Sequence, residues 1–140
     1  MKPTFKAQPM QVQVPATSAN LGPGFDCLGL ALNMHDRYMA QVMDEPGVDI
    51  DVTGEGADAV PTTDKNLVIK AMYKGFDFLG GRPRGIALRQ LNVIPHGRGL
   101  GSSAAAIVGG LALARALVLG GNERMSHEDI LNIANEMEGH

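Results

Sequence analysis

The sequence predicts an α+β domain in which a β-sheet of mixed strand direction packs against helices on one side. Three observations support this class. Short stretches of alternating apolar side chains recur in the first part of the chain, as expected of strands with one buried face. A long apolar helix is predicted from Ala104 to Leu119. A glycine-rich turn separates this helix from the strand before it.

Five strands and three helices account for the pattern. The first predicted strand ends with the apolar residues Val12 and Val14, and the second contains Leu28, Leu30 and Leu32. The other three are Tyr38 to Met43, Val48 to Val52 and Ile86 to Ile94. The first helix is predicted from a cap at Asp64 to about Leu79, where Gly80 and Gly81 stop it, with Leu67, Val68, Ala71, Met72, Phe78 and Leu79 buried. The last helix opens with a capping box of Ser126 and Asp129 and buries Ile130, Ile133, Ala134 and Met137.

Composition excludes several classes of function. The chain has 140 residues, enough for one modest domain, and its net charge of −3 gives no basic face for a nucleic-acid partner. The single cysteine, Cys27, cannot form an internal disulfide, and the N-terminus lacks the apolar run of a signal peptide. The apolar helix is too short for a membrane span and contains Arg115. We therefore expect a cytoplasmic protein with neither a nucleic-acid nor a membrane partner.

The stretch from Pro95 to Ala105 joins a strand to the apolar helix through Gly97, Gly99 and Gly101. Glycines let the backbone approach an anion closely, and the first amides of a helix attract phosphate. The stretch is not the common P-loop, because no lysine follows Lys74, and its glycine spacing differs from the dinucleotide fingerprint. A plain glycine turn capped by serine is the structural alternative, but the coincidence of glycines, two serines and an apolar helix favours a phosphate site.

The loop from Pro15 to Asp26 is longer than a hairpin needs. Its polar groups, among them Asn20 and Asp26, suit a small ligand with an amine or a hydroxyl, although a self-satisfied turn explains them equally well. In the last helix, Glu136 and Glu138 occupy the final turn, where the helix dipole disfavours anions. A nearby cation would relieve this, and exposure to water would also make it tolerable.

Two of these stretches together resemble one family. The run from Val14 to Gly29 is similar to the first motif of homoserine kinases. Pro95 to Ala105 resembles the ATP-phosphate motif of the wider superfamily of galactokinases, homoserine kinases, mevalonate kinases and phosphomevalonate kinases. Glu138, Gly139 and His140 resemble the start of a third family segment.

The resemblance implies a fold, a reaction and a set of site residues. The fold is the ribosomal-protein-S5-domain-2-like N-terminal kinase domain, and the reaction is ATP-dependent phosphorylation of the side-chain hydroxyl of L-homoserine in threonine biosynthesis. The implied nucleotide contacts are Asn66, Pro95, Gly97, Arg98, Gly99, Leu100, Gly101, Ser102, Ser103 and Ala104. Mg²⁺ is assigned to Ser103 and Glu138, with Glu136 as the alternative carboxylate. Asn20, Asp26 and His140 are assigned to the amino acid, and Asp26, Ser103 and Glu138 form the implied catalytic set, without an assigned general base.

Homoserine kinases are about twice as long as this chain. Residues 1–140 are therefore expected to be the N-terminal ATP-binding domain without its C-terminal partner, and to be inactive alone. The implied partner is a small-molecule substrate, and a homodimer is compatible with the resemblance. Two alternatives stay open: another kinase of the superfamily that acts on mevalonate or a sugar, and a nucleotide-binding fragment without turnover.

Overall fold

The computed structural model describes residues 2–15, 35–54, 56–93 and 102–138, with Ser102 described by its backbone alone. The strands are β1 (Met10–Pro15), β2 (His35–Met43), β3 (Gly47–Gly54) and β4 (Gly85–Asn92). The helices are α1 (Leu67–Phe78), α2 (Ser102–Leu117), α3 (Gly121–Arg124) and α4 (His127–Glu138), and Ala57–Ala59 form a short 3-10 turn before α1.

The four strands form one sheet in the order β1-β2-β4-β3. β2 pairs antiparallel with both β1 and β4, whereas β3 pairs parallel with β4. A parallel pair needs a crossover connection, and α1 provides it between β3 and β4. The predicted α+β class with a mixed sheet is therefore confirmed.

The core lies between one face of this sheet and the helices. Asp36, Tyr38 and Ala40 alternate along β2 toward the helices and are buried, while the side chains between them face outward. α1 and α2 pack directly on one another, and α2 also contacts β1 and β2. Large side chains that are fully buried in this core include Tyr38, Ile69, Met72, Phe76, Ile86, Leu88, Leu111, Leu113 and Leu117.

Two adjacent glycines let α2 approach both of its neighbours. A Cβ atom on Gly109 would overlap the ring of Tyr38, and a Cβ atom on Gly110 would lie 2.6 Å from the Cβ atom of Ala71 in α1. Any larger side chain at either position would force the elements apart. The close contacts explain why this helix contains two residues of poor helix propensity.

The start of α1 differs from the sequence-based expectation. Asn66, rather than Asp64, is the N-cap, because its side chain accepts hydrogen bonds from the amides of Val68 and Ile69. Phe78 is 48% exposed, although it was expected in the core, whereas Phe76 is fully buried. Two residues along a helix are separated by about 200°, so only one of these two rings can face inward.

The other predicted helix features agree with the structure. Ser126 and Asp129 form the expected reciprocal capping box, with the Ser126 amide 2.9 Å from Asp129 Oδ2 and the Asp129 amide 3.0 Å from Ser126 Oγ. Gly80 has a positive φ of 115°, and the Gly81 amide donates to the Phe76 carbonyl, which ends α1. No helix in the described ranges is long and apolar enough to cross a membrane. The strand predicted around Leu28 to Leu32 lies outside those ranges.

A short N-terminal segment closes the far end of the core. Phe5 forms a β-bridge with Val118, and the Lys6 amide donates to the Leu117 carbonyl at 2.7 Å. The Phe5 ring meets the Phe76 ring edge-on, with 5.5 Å between the centroids. These contacts fix the segment ahead of β1 to the C-terminal end of α2.

Candidate functional site

A pocket of about 230 Å³ lies where α1 and α2 begin. Its walls come from four places in the chain: the 3-10 turn and the residues after it, the start of α1, the end of β4 and the first turns of α2. The lining residues are Ala59, Val60, Pro61, Lys65, Asn66, Leu67, Gln90, Asn92, Ser103 and Ala106. Asn66 and Ser103, which the family resemblance assigns to nucleotide binding, therefore border the same cavity.

Two larger depressions, of about 390 Å³ each, lie on the outer face of the sheet. They are lined by side chains from neighbouring strands, such as Met39, Asp51 and Arg89, which are exposed to solvent. Among the residues that the structure describes, no site residue predicted from the sequence borders either depression. The smaller pocket at the helix starts is therefore the better candidate.

Asn66 is fully buried in the wall of this pocket. Its Oδ1 atom accepts from the amides of Val68 at 2.8 Å and Ile69 at 3.3 Å, and its Nδ2 atom donates to the Pro61 carbonyl at 2.9 Å and to Gln90 Oε1 at 3.1 Å. An asparagine side chain offers two donor hydrogens and two acceptor lone pairs, so all four are used within the protein. Its predicted contact with a nucleotide stays a prediction, and the structure shows how the residue shapes the pocket.

Asn66 is the first member of a row of three buried amides. Its Nδ2 atom donates to Gln90, and Gln90 Nε2 in turn donates to Asn92 Oδ1 at 3.0 Å. The direction of the row is set at its first member, because backbone amides of α1 can only donate and therefore fix the oxygen of Asn66 toward them. We call Asn66, Gln90 and Asn92 the amide row.

Sequence reasoning did not single out Gln90 or Asn92. The signal was present in β4, where the inward positions run Ile86, Leu88, Gln90 and Asn92. Two amides in succession on the apolar face of a strand need hydrogen-bond partners in the core. Such a pattern indicates a buried polar wall, and in this protein that wall faces the pocket.

The start of α2 forms the opposite side of the pocket. Ser103 is exposed in the first turn, whereas the following Ala104 is buried. The first turn contains no acidic residue, so no side chain there opposes an incoming anion. The positive end of a helix dipole attracts such a group, and Lys65 adds a positive charge at the rim of the pocket. The geometry therefore suits a ligand with an uncharged part and an anionic part.

The proposed carboxylate ligands lie on α4. Glu136 and Glu138 are both exposed in the last turn of this helix, which packs against α2. Within the described ranges, no three His, Cys, Asp or Glu side chains come together as a ready-made metal site. The remaining predicted site residues lie outside the described residues: Asn20, Asp26, Pro95, Gly97, Arg98, Gly99, Leu100, Gly101, the side chain of Ser102, and His140.

A second buried polar cluster lies near the end of β4. Asp36 is 1% exposed; its Oδ2 atom accepts from the Tyr38 hydroxyl at 3.0 Å, and its Oδ1 atom accepts from the Val93 amide at 2.7 Å. Burial raises the pKa of Tyr38 far above its ordinary value, and the negative charge of Asp36 raises that pKa further. Tyr38 is therefore a neutral donor at physiological pH. Sequence reasoning missed this cluster, although Asp36 stands at an inward position of β2.

The comparison with protein families gives the decisive observation. The sequence pattern of the GHMP kinases N terminal domain matches residues 66–140. The chain belongs to the GHMP kinase family. The match includes Asn66, the end of β4 and the start of α2, which border the pocket, and it continues through α4. It confirms the superfamily indicated by the glycine-rich stretch.

Curated proteins similar to this GHMP kinase domain include several homoserine kinases. It is 50% identical to the homoserine kinase of Streptomyces coelicolor over 99% of this chain and 44% of the relative. It is 51% identical to the homoserine kinase of Clavibacter michiganensis over 94% of this chain and 41% of the relative. The chain thus spans less than half the length of the curated relatives it matches, and the sequence-based resemblance to the N-terminal portion of these proteins is confirmed.

Solved structures agree with this assignment. The homoserine kinase from Cytophaga hutchinsonii superimposes with a TM-score of 0.71 at 32% identity, covering 96% of this chain and 42% of the other. The mevalonate kinase from Methanococcus jannaschii superimposes with a TM-score of 0.63 at 15% identity, covering 98% and 49%. The second likeness shows the shared fold alone. Both support the N-terminal kinase fold expected for this GHMP kinase domain.

Proposed function

We propose that this chain is the ATP-binding N-terminal part of a homoserine kinase. The complete enzyme would transfer the γ-phosphoryl group of ATP to the side-chain hydroxyl of L-homoserine, a step of threonine biosynthesis in the cytoplasm. Identity of about half to curated homoserine kinases over nearly the whole chain supports this substrate. The proposed partner is a small-molecule substrate, and a homodimer is compatible with the proposal.

The pocket between the two helix starts is the observation that carries the proposal. Asn66 and Ser103 lie in different elements, yet both border it. Neutral amides and apolar side chains on the side of α1 suit a nucleotide base, whereas the start of α2 suits phosphate groups. We therefore place the base of ATP beside the amide row, and its phosphates against the glycine-rich stretch, from Gly97 to Gly101, and the first turn of α2.

The proposed Mg²⁺ site combines Ser103 with Glu138, or with Glu136 as the alternative. Mg²⁺ that is bound together with substrate phosphates needs only one or two protein oxygens, which this pair can provide. α2 and α4 pack together and are linked by residues 118–126, which include α3. We expect the two helices to run back along each other, with the end of α4 near the start of α2. Bound Mg²⁺ would neutralise charge on the phosphates during the transfer.

The two loops that carry the remaining proposed residues begin close together. Pro15 and His35 are partners in the β1–β2 register, so the segment between them starts and ends at one point. The neighbouring residue Asp36 accepts a hydrogen bond from the Val93 amide, two residues before the start of the glycine-rich stretch at Pro95. This arrangement supports Asn20 and Asp26 as homoserine contacts close to the phosphates of ATP, and His140 is the third proposed contact.

A binding experiment tests the nucleotide site. Gly101→Val should lower the affinity for Mg·ATP at least tenfold in calorimetry, about 1.4 kcal/mol or more, because a side chain would fill the space of a phosphate. Gln13→Val, on the exposed outer face of β1, is the control and should leave affinity unchanged. Unchanged affinity of a folded Gly101→Val variant would contradict the phosphate assignment.

A substrate panel tests the reaction. ADP release by the full gene product should depend on L-homoserine and not on mevalonate or galactose. Residues 1–140 alone should show little or no turnover, because the curated relatives are more than twice as long. Phosphorylation of mevalonate with inert homoserine would overturn the substrate, and turnover by residues 1–140 near that of the full gene product would overturn the expected inactivity.

A further inference from the structure

Asp36 is a buried carboxylate at the junction of the two proposed substrate loops. It follows His35, which closes the base of the segment 16–34 through its pairing with Pro15. Its Oδ1 atom holds the amide of Val93, and the glycine-rich stretch begins after Val93. One side chain therefore contacts the stem of one loop and belongs to the stem of the other.

The position of Val93 explains why its amide bonds a side chain and not a backbone carbonyl. The register of β2 with β4 starts with Arg37 opposite Leu91, and the strand β4 ends at Asn92. Beyond that point, the Asp36 carboxylate takes the Val93 amide in place of a backbone carbonyl of β2. A charged acceptor gives a shorter and stronger hydrogen bond than a neutral one, which agrees with the distance of 2.7 Å.

Tyr38 extends this connection to α2. Its hydroxyl donates to the second oxygen of Asp36, and its ring packs directly against Gly109 of α2. Val14, at the end of β1, also lies against Gly109. The ends of both loops, and the helix that follows one of them, are thus joined through a single carboxylate and the aromatic ring beside it.

We propose that Asp36 is a positioning residue that couples the segment 16–34 to the glycine-rich stretch, so that homoserine and ATP bind cooperatively. The inference rests on the proposed function. A carboxylate accepts hydrogen bonds at both oxygens and holds two donors at a fixed separation. An Asn side chain of the same size would turn its amide group toward one of these donors, so one contact would be lost.

The coupling can be measured in the full gene product. Calorimetry would give the affinity for the non-hydrolysable analogue β,γ-methylene-ATP with Mg²⁺, with and without saturating L-homoserine. In the wild type we expect homoserine to tighten nucleotide binding about fivefold or more, within the usual range of coupling between sites. In Asp36→Asn we expect less than a twofold effect, together with a lower kcat. Arg37→Gln, which removes one charge of the opposite sign from the neighbouring, exposed position of β2, should keep the coupling.

A second pair of variants removes the same hydrogen bond from the other side. Val93→Pro deletes the amide donor just beyond the end of β4, where proline is tolerated, and Val93→Ala is its matched control. Val93→Pro should lose the effect of homoserine on nucleotide affinity, and Val93→Ala should keep it. This pair tests the role of the hydrogen bond even if Asp36→Asn fails to fold. A merely structural contact would change the melting temperature without changing the coupling factor.

The outcomes separate this inference from the function on which it rests. A wild-type protein that binds neither the ATP analogue nor homoserine would overturn the proposed function, and the inference with it. A wild type that binds both without cooperativity would overturn the inference alone. Full coupling retained in folded Asp36→Asn or in Val93→Pro would do the same.

Discussion

Two buried polar clusters meet at the end of β4, and they are built on different principles. The amide row is neutral, and its direction is fixed by backbone amides of α1 that cannot accept a hydrogen bond. The second cluster, Asp36 with Tyr38, contains a charged group in the core. Tyr38 and Gln90 are direct partners in the β2–β4 register, so the clusters occupy adjacent positions on one sheet face. The amide row contains no titrating group, whereas the second cluster needs the Tyr38 hydroxyl to keep its proton.

The adjacent glycines of α2 face different neighbours. Gly109 faces Tyr38, and Gly110 faces the backbone of α1 just beyond Asn66. A substitution at Gly109 therefore perturbs the ring of Tyr38 in the second cluster, whereas one at Gly110 perturbs the contact between α2 and α1. The contribution of each contact to stability can therefore be measured with separate variants.

The largest effect is expected at the neutral cluster. Asn66→Ala removes the cap of α1 and leaves the Pro61 carbonyl and Gln90 Oε1 without their donor. Loss of a cap and of buried hydrogen bonds should lower the free energy of unfolding by about 2–4 kcal/mol, measured by urea denaturation. Asn66→Asp keeps the acceptor for the α1 amides and should fall between wild type and Asn66→Ala. A loss below about 1 kcal/mol in Asn66→Ala would show that the amide row contributes little.

An intermediate effect is expected from the paired glycines. In an exposed helix, Gly→Ala stabilises by about 1 kcal/mol, so the sign of the change is informative. Gly109→Ala and Gly110→Ala should each destabilise by about 0.5–2 kcal/mol, because the new methyl group meets Tyr38 in one case and Ala71 in the other. Urea denaturation measures both variants. Stabilisation by either variant would mean that α2 can shift to accommodate a methyl group, and that the close contact at that glycine is not required for stability.

The smallest effect concerns pH and the acidic cluster. The folded pKa of Tyr38 is raised, chiefly by burial and then by Asp36, whereas the unfolded chain titrates near its ordinary value of about 10. Above about pH 10 only the unfolded chain loses this proton, so the contribution of Tyr38 to stability falls by up to about 1.4 kcal/mol per pH unit. Tyr38→Phe should be less stable than wild type at about pH 9, and this difference should shrink by about 1 kcal/mol by about pH 11.

Urea denaturation of both proteins at the two pH values isolates this contribution, because all other titrating groups are common to them. A difference that stays constant with pH would show that the hydroxyl of Tyr38 is not held in the neutral, buried state described above.

The sequence predicted those parts of the fold that depend on residues close together in the chain. The apolar pattern located the four strands that the structure describes. The contact between Ser126 and Asp129 spans only three residues, so it could be recognised directly. The cap of α1 was assigned to Asp64 because aspartate and asparagine are both good caps. Asn66 takes this role, and its Nδ2 atom also donates to Gln90, which is 24 residues away and cannot be inferred from the local sequence. The Asp36–Val93 contact spans 57 residues and leaves no local trace beyond a polar residue at an inward position.

The same distinction holds for the candidate site. The family resemblance assigned Asn66 and Ser103 to one site, and the structure places both at one pocket. The two buried clusters behind that pocket were not predicted, because a polar side chain in a strand can face a ligand, a neighbour in the core or water. Only the packed sheet and helices show which of these each residue meets.

The bridge between Phe5 and Val118 has a practical consequence for protein production. Residues ahead of β1 might be trimmed as a dispensable tail, yet the Phe5 ring lies against Phe76, and two backbone hydrogen bonds join Thr4 and Lys6 to the end of α2. Removing residues 1–6 would expose the ring of Phe76 to solvent, and an exposed apolar surface promotes aggregation. An affinity tag at this end should therefore be joined through a flexible spacer, so that the bridge can form.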